Sequence, residues 1–497
     1  MKPNPLPPPS PQEIELKLSL PLADPKLLSQ QLSRVPVLLR RKPSHQSLHN
    51  IYYDTPDQQL RQQRAVLRLR RVGGEAAPRW LQTFKTGASD TSALSQRGEW
   101  ESPVDGAALS RQALPATPWS DIDADGRLFA ALAPCFVTAF ERTLWLVRRR
   151  DGSVVEVALD LGQIEANCQT TPLCELELEL KAGQPKALFD IAQDIARTVA
   201  VMPAHMSKAQ RGFLLAQGEL NQPYRAQLPP LARQTPVLRL AQQVLRSALA
   251  QFTHNLESLL VSDDPELVHQ ARVGWRRFKS ALRLFRKFFP VAVPAPSEAL
   301  LSLLEGMGEL RDLDVARTAT LPALADAFAL GDAQRTQSWQ TMMTVLTRAA
   351  SQQRAKVRQT LQTPATGASL LAMVQWLEEL AAHKQVMPGP GVSLRQWSKQ
   401  RMQRLSQQLD DARRVANTPQ QWHRVRILAK RLRYGSENLH DVLPQRLARQ
   451  GVQQAAALQD SLGAARDMAH ISHLVAVLDW PADVKEFLRG VVVGAGR

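Results

Sequence analysis

Glu13-Ile14-Glu15-Leu16-Lys17 places two carboxylates and an ammonium at every second position. In a strand, where successive side chains point to opposite faces, these polar groups share one face and Ile14, Leu16 and Leu18 take the other. A solvated edge strand alternates in the same way, so this stretch alone does not discriminate. The pattern recurs in Arg68-Leu69-Arg70, in Glu156-Val157-Ala158-Leu159-Asp160 and in Glu175-Leu176-Glu177-Leu178-Glu179-Leu180-Lys181. Several such strands bearing both signs of charge point to a sheet closed on itself around an ionic lumen. Such a lumen persists only if it is wet and its acids, bases and bound ions neutralise one another, because isolated buried charge is costly. Glu13, Glu15, Asp160, Glu175 and Glu177 repel one another unless protonated or bridged, and hard oxygen ligands suit Mg²⁺ or Mn²⁺. Lys17, Arg68, Arg70, Lys85 and Arg142 suit phosphate oxygens, the arginines through forked contacts. A metal beside a basic clamp describes phosphoryl transfer, in which the protein mainly positions groups and neutralises charge.

A second chemistry-bearing pattern lies downstream. At helical spacing, His269, Arg272, Arg276, Lys279 and Arg283 fall on one face, opposite Val273, Phe278, Leu282 and Phe285. The segment His269–Lys279 aligns without a gap on His423–Arg433, giving a second set of His423, Arg426, Lys430 and Arg433. Met307-Gly308 and Arg311-Asp312 align in turn with Leu462-Gly463 and Arg466-Asp467, at 42 and 43 residues from the respective histidines. Two motifs at matched spacing indicate a duplicated helical bundle. One basic helix face is ordinarily a solvated surface. A pseudo-symmetric pair can instead converge on a concave surface whose self-repulsion calls for an anion, with the Arg-Asp pairs orienting the stripes. The histidines would add charge as pH falls through about 6.5, raising affinity in mild acid.

The elements that position these residues follow from punctuation and period. Turn signals at Gly73-Gly74 and Asp151-Gly152 separate strands up to about Leu215, and helices are expected near Pro25–Leu32 and Pro185–Val199. Residues 221–237 have the composition of a linker, and beyond Leu238 the period is helical, broken at Pro290–Pro296 and Pro388–Gly391. The expected fold is α+β and multidomain. A disordered arm (1–11) precedes an antiparallel β domain closed on itself (12–220), a linker (221–237), and an all-α bundle (238–497) with repeats at about 238–370 and 371–497. A chain of 497 residues accommodates such domains. The net charge of +16 indicates a polyanionic partner, and residues 231–497 hold most of it, with 35 Lys and Arg against 22 Asp and Glu. Cys135, Cys168 and Cys174 lack metal-site spacing and fit a reducing cytosol. The N-terminus has no apolar signal core, and no apolar run is long enough to cross a membrane. Nucleic acid is a disfavoured partner, since the basic helices carry no reading motif and few interleaved aromatics.

In order, Glu13-x-Glu15-x-Lys17, Tyr52-Tyr53-Asp54-Thr55-Pro56, Leu67–Arg70, Gln82–Lys85, Arg97–Glu101, Arg142, Asp160-Leu161-Gly162, Glu175-Leu176-Glu177 and Ser207-Lys208 resemble the signature of the CYTH superfamily, the triphosphate tunnel metalloenzymes. The resemblance implies an eight-stranded tunnel, a triphosphate held by Arg and Lys, and divalent metal held by Glu. Carried over residue by residue, it makes Glu13, Glu15, Asp160, Glu175 and Glu177 metal ligands. Glu13, Glu15, Lys17 and Glu99 become catalytic, and Lys17, Arg68, Arg70, Lys85, Arg142 and Lys208 substrate clamps. Glu177 with Glu179 is an alternative to Glu175 with Glu177, and Arg97 is either a clamp or a partner of Glu99 or Glu101. Tyr52 and Tyr53 read as packing residues. The second half resembles the CHAD domain, a histidine-containing helical domain, through His269-x-x-Arg272-Val273 and His423-x-x-Arg426-Ile427. That resemblance implies polyphosphate binding by both stripes, and the fusion order is similar to bacterial inorganic triphosphatases. The expected substrate is inorganic triphosphate, with inorganic polyphosphate as partner and location in the cytoplasm or on polyphosphate granules. Adenylate cyclase or thiamine triphosphatase activity, or a non-enzymatic polyphosphate scaffold, are the alternatives.

Overall fold

The computed structural model describes residues 12–21, 24–74, 78–87, 92–225, 235–380, 383, 393–461 and 463–495. The expected arm at 1–11, residues 226–234 of the linker and the Pro388–Gly391 break lie outside the described residues, as do the side chains of Arg466 and Asp467. The chain divides into two compact units, 1–222 with 362–375, and 223–361 with 376–497.

Alternation of polar and apolar residues produces eight strands in the first unit: β1 (Gln12–Ser19), β2 (Ser44–Asp54), β3 (Ala65–Val72), β4 (Arg79–Thr86), β5 (Leu94–Val104), β6 (Ala133–Arg148), β7 (Val154–Ala166) and β8 (Gln169–Ala182). They pair antiparallel in the order β5-β4-β3-β2-β6-β7-β8-β1, and β1 then pairs with β5, closing the sheet with no free edge among the eight. The closed eight-stranded barrel read from the sequence is therefore present. The β6–β7 hairpin turns at Asp151-Gly152, where Gly152 takes φ 85° and the Asp151 carboxylate accepts from the Ser153 amide at 2.9 Å. Leu188, Ile191 and Ile195 of helix α1 (Lys186–Ala196), expected on one face from their spacing, are fully buried.

Helix α2 (Lys208–Gln217) starts at a capping box made by Ser207 and Gln210. Its Ala209 and Phe213 pack among Leu48, Tyr52, Phe136, Phe140, Ile164 and Leu173. Leu48 shares its face of β2 with Gln46 and Tyr52, which line the lumen, so this helix plugs one end of the barrel interior with hydrocarbon. The fit needs Gly212: a Cβ there would stand 2.1 Å from the Phe136 ring.

In the second unit the long helices are α3 (Val237–Leu259), α4 (Pro265–Phe285), α5 (Glu298–Val315), α6 (Ala333–Leu361), α7 (Leu394–Arg414), α8 (Pro419–Asn438), α9 (Gln445–Ser461), α10 (Gly463–Val477) and α11 (Ala482–Ala495). The halfway point at 370/371 falls inside a further helix, Pro364–Glu379. The duplication is visible in local structure. Helix α4 begins with Asp264 as N-cap and Pro265 at its first position, α8 with Thr418 and Pro419, and both caps accept from backbone amides. His269 and His423 each stand five residues beyond their cap, and α4 packs on α8. No helix among the described residues is long and apolar enough to cross a membrane.

Candidate functional site

The barrel encloses a cavity of about 350 Å³. Its wall carries seven glutamates against nine lysines and arginines, an excess of two cations that favours an anionic occupant. Ladder register decides which charges meet. Glu13 stands opposite Arg97 across β1–β5, and Arg97 Nε donates to Glu13 at 2.7 Å while its Nη2 donates to Glu15 at 2.6 Å. Arg97 is thus the partner of the opening carboxylates, where the sequence had offered Glu99 or Glu101. Lys85 stands opposite Glu99 and bonds it at 2.9 Å, also reaching Glu13 at 3.0 Å. Arg142 stands opposite Asp160 and forks onto it at 2.7 and 2.6 Å, with Glu177 at 2.7 Å from the same guanidinium. Lys17 lies 2.5 Å from Glu15 and 3.0 Å from Glu177.

The five carboxylates expected at a metal separate into two groups. Asp160, Glu175 and Glu177 offer oxygens within 4.8 Å of one another. Lys208, at the first position of α2, puts its ammonium on all three, 2.7 Å from Asp160, 2.9 Å from Glu177 and bonded to Glu175. A cation at a helix N-terminus is electrostatically misplaced, and these three acids offset that cost. Glu13 and Glu15 form the other group, held by Arg97, Lys85 and Lys17. Of the two glutamate pairs left open on β8, Glu177 and Glu179 face the cavity, while Asp160 and Glu175 are not among the wall residues. Among the described residues the carboxylates that converge are Asp160, Glu175 and Glu177, while Glu13, Glu15, Glu177 and Glu179 share the cavity wall; carboxylate oxygens are the donors a hard divalent cation takes.

The field in the lumen is uneven. Although burial opposes ionisation, Lys85 and Arg68 hold Glu99 down at about 2. Burial is likewise overcome at Glu13 by Lys85 and Arg97, at Glu15 by Lys17 and Arg97, and at Glu177 by Lys17, Lys208 and Arg142, so all three are lowered. Glu179 differs: burial pushes its carboxyl up. Burial, with Arg68 and Arg142 nearby, pushes the Arg70 guanidinium down to about 10. Arg70 donates to the neutral Asn50 at 2.8 Å, and its acid Glu101 is 4.0 Å away. This region of cation excess is where an anion would be most stabilised. Arg68 completes it, bonded to Thr83 at 3.0 Å with Glu99 and Glu101 each at 3.7 Å.

Tyr52 packs as expected, its ring 4.5 Å from Phe136, and it is the one aromatic residue in the described wall. Trp80, Trp100 and Trp145 do not line the cavity: Trp145 is buried, and Trp100 lies beside Phe84 on the outer face.

The helical unit holds a second cavity of about 450 Å³. His269 and Arg276 of α4 and Arg426, Lys430 and Arg433 of α8 line it together, so the two stripes do converge. Arg272, Lys279, Arg283 and His423 are outside that lining; Arg272 donates instead to the Leu304 carbonyl at 3.3 Å. Arg225, Arg277, Gln251 and Tyr434, which the stripe pattern missed, also line it, as do Gln270, Val273 and Glu437, which accepts from Arg433 Nε at 2.9 Å. Arg277 is buried, and Gln251 accepts its Nη1 at 3.0 Å. The expectation that His269 charges near neutrality is corrected: burial together with Arg311 and Arg276 pushes it down to about 4, leaving it neutral in mild acid.

Comparison with known proteins follows this division. A model of the CYTH domain matches residues 11–213, and one of the CHAD domain matches residues 243–476. The inorganic triphosphatase of Haemophilus influenzae is 34% identical over 192 residues, which are 38% of this chain and 50% of that protein. The chain therefore spans about half the length of that curated relative. Among solved structures, the CHAD domain from Ricinus communis aligns at 27% identity and TM-score 0.47 over 55% of this chain and 90% of that one. A protein from Pyrococcus horikoshii OT3 aligns at 17% identity and TM-score 0.28, over 41% and 99%.

Proposed function

We propose, for a chain whose residues 11–213 are a CYTH domain and whose residues 243–476 are a CHAD domain, that it hydrolyses inorganic triphosphate in the barrel and binds inorganic polyphosphate in the helical cavity. The observation that carries this reading is the closed lumen whose described wall has more cations than acids, with its least compensated arginine, Arg70, close to Arg68 and Arg142. These three, with Lys85, bind and orient the phosphoryl groups; Lys17 and Lys208 position Glu15, Glu177, Asp160 and Glu175 and complete the clamp. Glu13, Glu15, Glu177 and Glu179 would hold Mg²⁺ or Mn²⁺, with Asp160 and Glu175 behind Glu177. When bound, the divalent cation supplies charge neutralisation on the phosphate oxygens and activation of the attacking water. Burial pushes the Glu179 carboxyl up, whereas neighbouring cations hold Glu13, Glu15 and Glu177 low. Glu99 keeps Lys85 in place on the opposite wall.

Inorganic triphosphate is favoured over a nucleotide or thiamine ester because the described wall offers no free aromatic face on which a ring could stack: Tyr52 is covered by Phe136. The test is phosphate release by the purified chain with Mg²⁺ or Mn²⁺ on triphosphate, pyrophosphate, ATP and thiamine triphosphate. Release is expected chiefly from triphosphate. Preferential release from ATP or the thiamine ester would replace the substrate assignment, and no release from any of the four would leave a binding scaffold. Location in the cytoplasm and association with polyphosphate granules follow from the same reading, and imaging of the tagged chain checks them.

A further inference from the structure

The helical cavity has a wall residue that its two repeats do not supply. Arg225 precedes both, in the segment leading into α3, and lines the cavity with His269, Arg276 and Lys430. Its placement is built rather than incidental. Asn255 is fully buried near the C-terminal end of α3, where an unsatisfied amide would be costly. Its Oδ1 accepts from the Tyr224 amide at 3.0 Å, and its Nδ2 donates to the Tyr224 carbonyl at 2.9 Å and to the Gln251 carbonyl at 2.6 Å. The Tyr224 ring lies flat on His254, with centroids 4.4 Å apart and planes 9° apart. Backbone and ring of residue 224 are therefore both fixed to α3, and the next side chain is delivered to the cavity mouth. There Arg225 is 76% exposed and its Nη2 lies 3.3 Å from Glu266, an acid that also accepts from Gln270 at 2.7 Å.

We propose that Arg225 is a polyphosphate-binding residue of the helical cavity, held by Glu266 when the cavity is empty and transferred to phosphate oxygens when it fills. The proposal rests on reading this cavity as a polyphosphate site. The physical basis is competition for one guanidinium. A single half-buried carboxylate at 3.3 Å from an exposed guanidinium holds it weakly, whereas a polyanion already gripped by Arg276, Arg426, Lys430 and Arg433 presents several oxygens at high local concentration.

The experiment measures retention of biotinylated inorganic polyphosphate by the full chain in EDTA, over a series of salt concentrations, for the wild type, Arg225→Gln, Glu266→Gln and the double variant. An Arg276→Ala, Lys430→Ala variant defines the share bound by the helical cavity. Arg225→Gln is expected to weaken that share about fivefold and to reduce the slope of log affinity against log salt by about 0.7 to 0.9, one contact fewer. Glu266→Gln is expected to strengthen binding, and to do so less when Arg225 is already absent. If the wild type retains no polyphosphate through this cavity, the reading of the site itself fails. If it does, and Arg225→Gln changes neither affinity nor slope, the assignment of Arg225 alone is overturned. An equal gain from Glu266→Gln in both backgrounds would overturn the competition between them.

Discussion

Arg97→Met tests whether the opening strand is held by the charges its register creates. The wild-type guanidinium, 9% exposed, makes two charge-assisted contacts, at 2.7 Å to Glu13 and 2.6 Å to Glu15. Methionine keeps much of the volume and none of the charge, leaving Glu13 with Lys85 and Glu15 with Lys17. Breaking a buried pair by removing one partner costs about 3–5 kcal/mol, mostly because the remaining charge stays desolvated. The change sits at the β1–β5 seam that closes the barrel. It should therefore appear as faster amide exchange of β1 and β5 in the intact chain, by on the order of 10² to 10³-fold at neutral pH. The pH dependence has a definite sign. Glu13 and Glu15 have folded-state values below the ordinary 4.5, so their stabilisation is complete above that value and is lost as pH falls through the folded values. The gap between variant and wild type should accordingly be widest near neutrality and narrow below about 4.5. Unchanged exchange of β1 at pH 7, or a gap that widens in acid, would refute the claim that these pairs close the barrel.

Other outcomes follow from the same geometry. Glu13→Gln removes a carboxylate shared by Lys85 and Arg97 and is expected to lower turnover of triphosphate by about 10²-fold or more while the chain stays folded; near-normal turnover would make β1 purely structural. Arg70 lies where cations are in excess, so Arg70→Gln is expected to raise KM for triphosphate about tenfold with the chain folded, and an unchanged KM would remove Arg70 from the clamp. Arg276→Ala with Lys430→Ala should abolish polyphosphate retention and spare triphosphate hydrolysis, whereas Arg272→Ala, outside the cavity lining, should reduce retention only slightly. With His269 at about 4, the difference in retention between wild type and His269→Gln should be flat from pH 7 to 5.5, and a rise near 6.5 would contradict its burial beside Arg311 and Arg276.

Period two with charge on one face, repeated in several strands with both signs, pointed to the closed sheet, because acids and bases on a shared interior neutralise one another. The duplication was equally legible, since gapless alignment of His269–Lys279 with His423–Arg433 also aligned the Asp264-Pro265 and Thr418-Pro419 helix starts. Partners were not legible. That Arg97 meets Glu13 and Glu15, and Lys85 meets Glu99, depends on the β1–β5 and β4–β5 registers, and a slip of one residue would reverse every face. That Lys208 sits among Asp160, Glu175 and Glu177 depends on a helix returning into the barrel, a long-range packing event driven by Phe213 and permitted by Gly212. Helical spacing likewise put Arg272 and Arg276 on one broad face, yet only the packing of α4 on α8 determined that Arg276 lines the cavity, and only the Tyr224–Asn255 clamp brought Arg225 to it. The sequence by itself determined the closed ionic barrel, the repeated basic helices and the polyanion they call for, because period and charge are local properties of the chain. Tertiary structure alone decided which carboxylates stay open to the lumen and which cations stay uncompensated, because those depend on contacts between residues far apart in sequence.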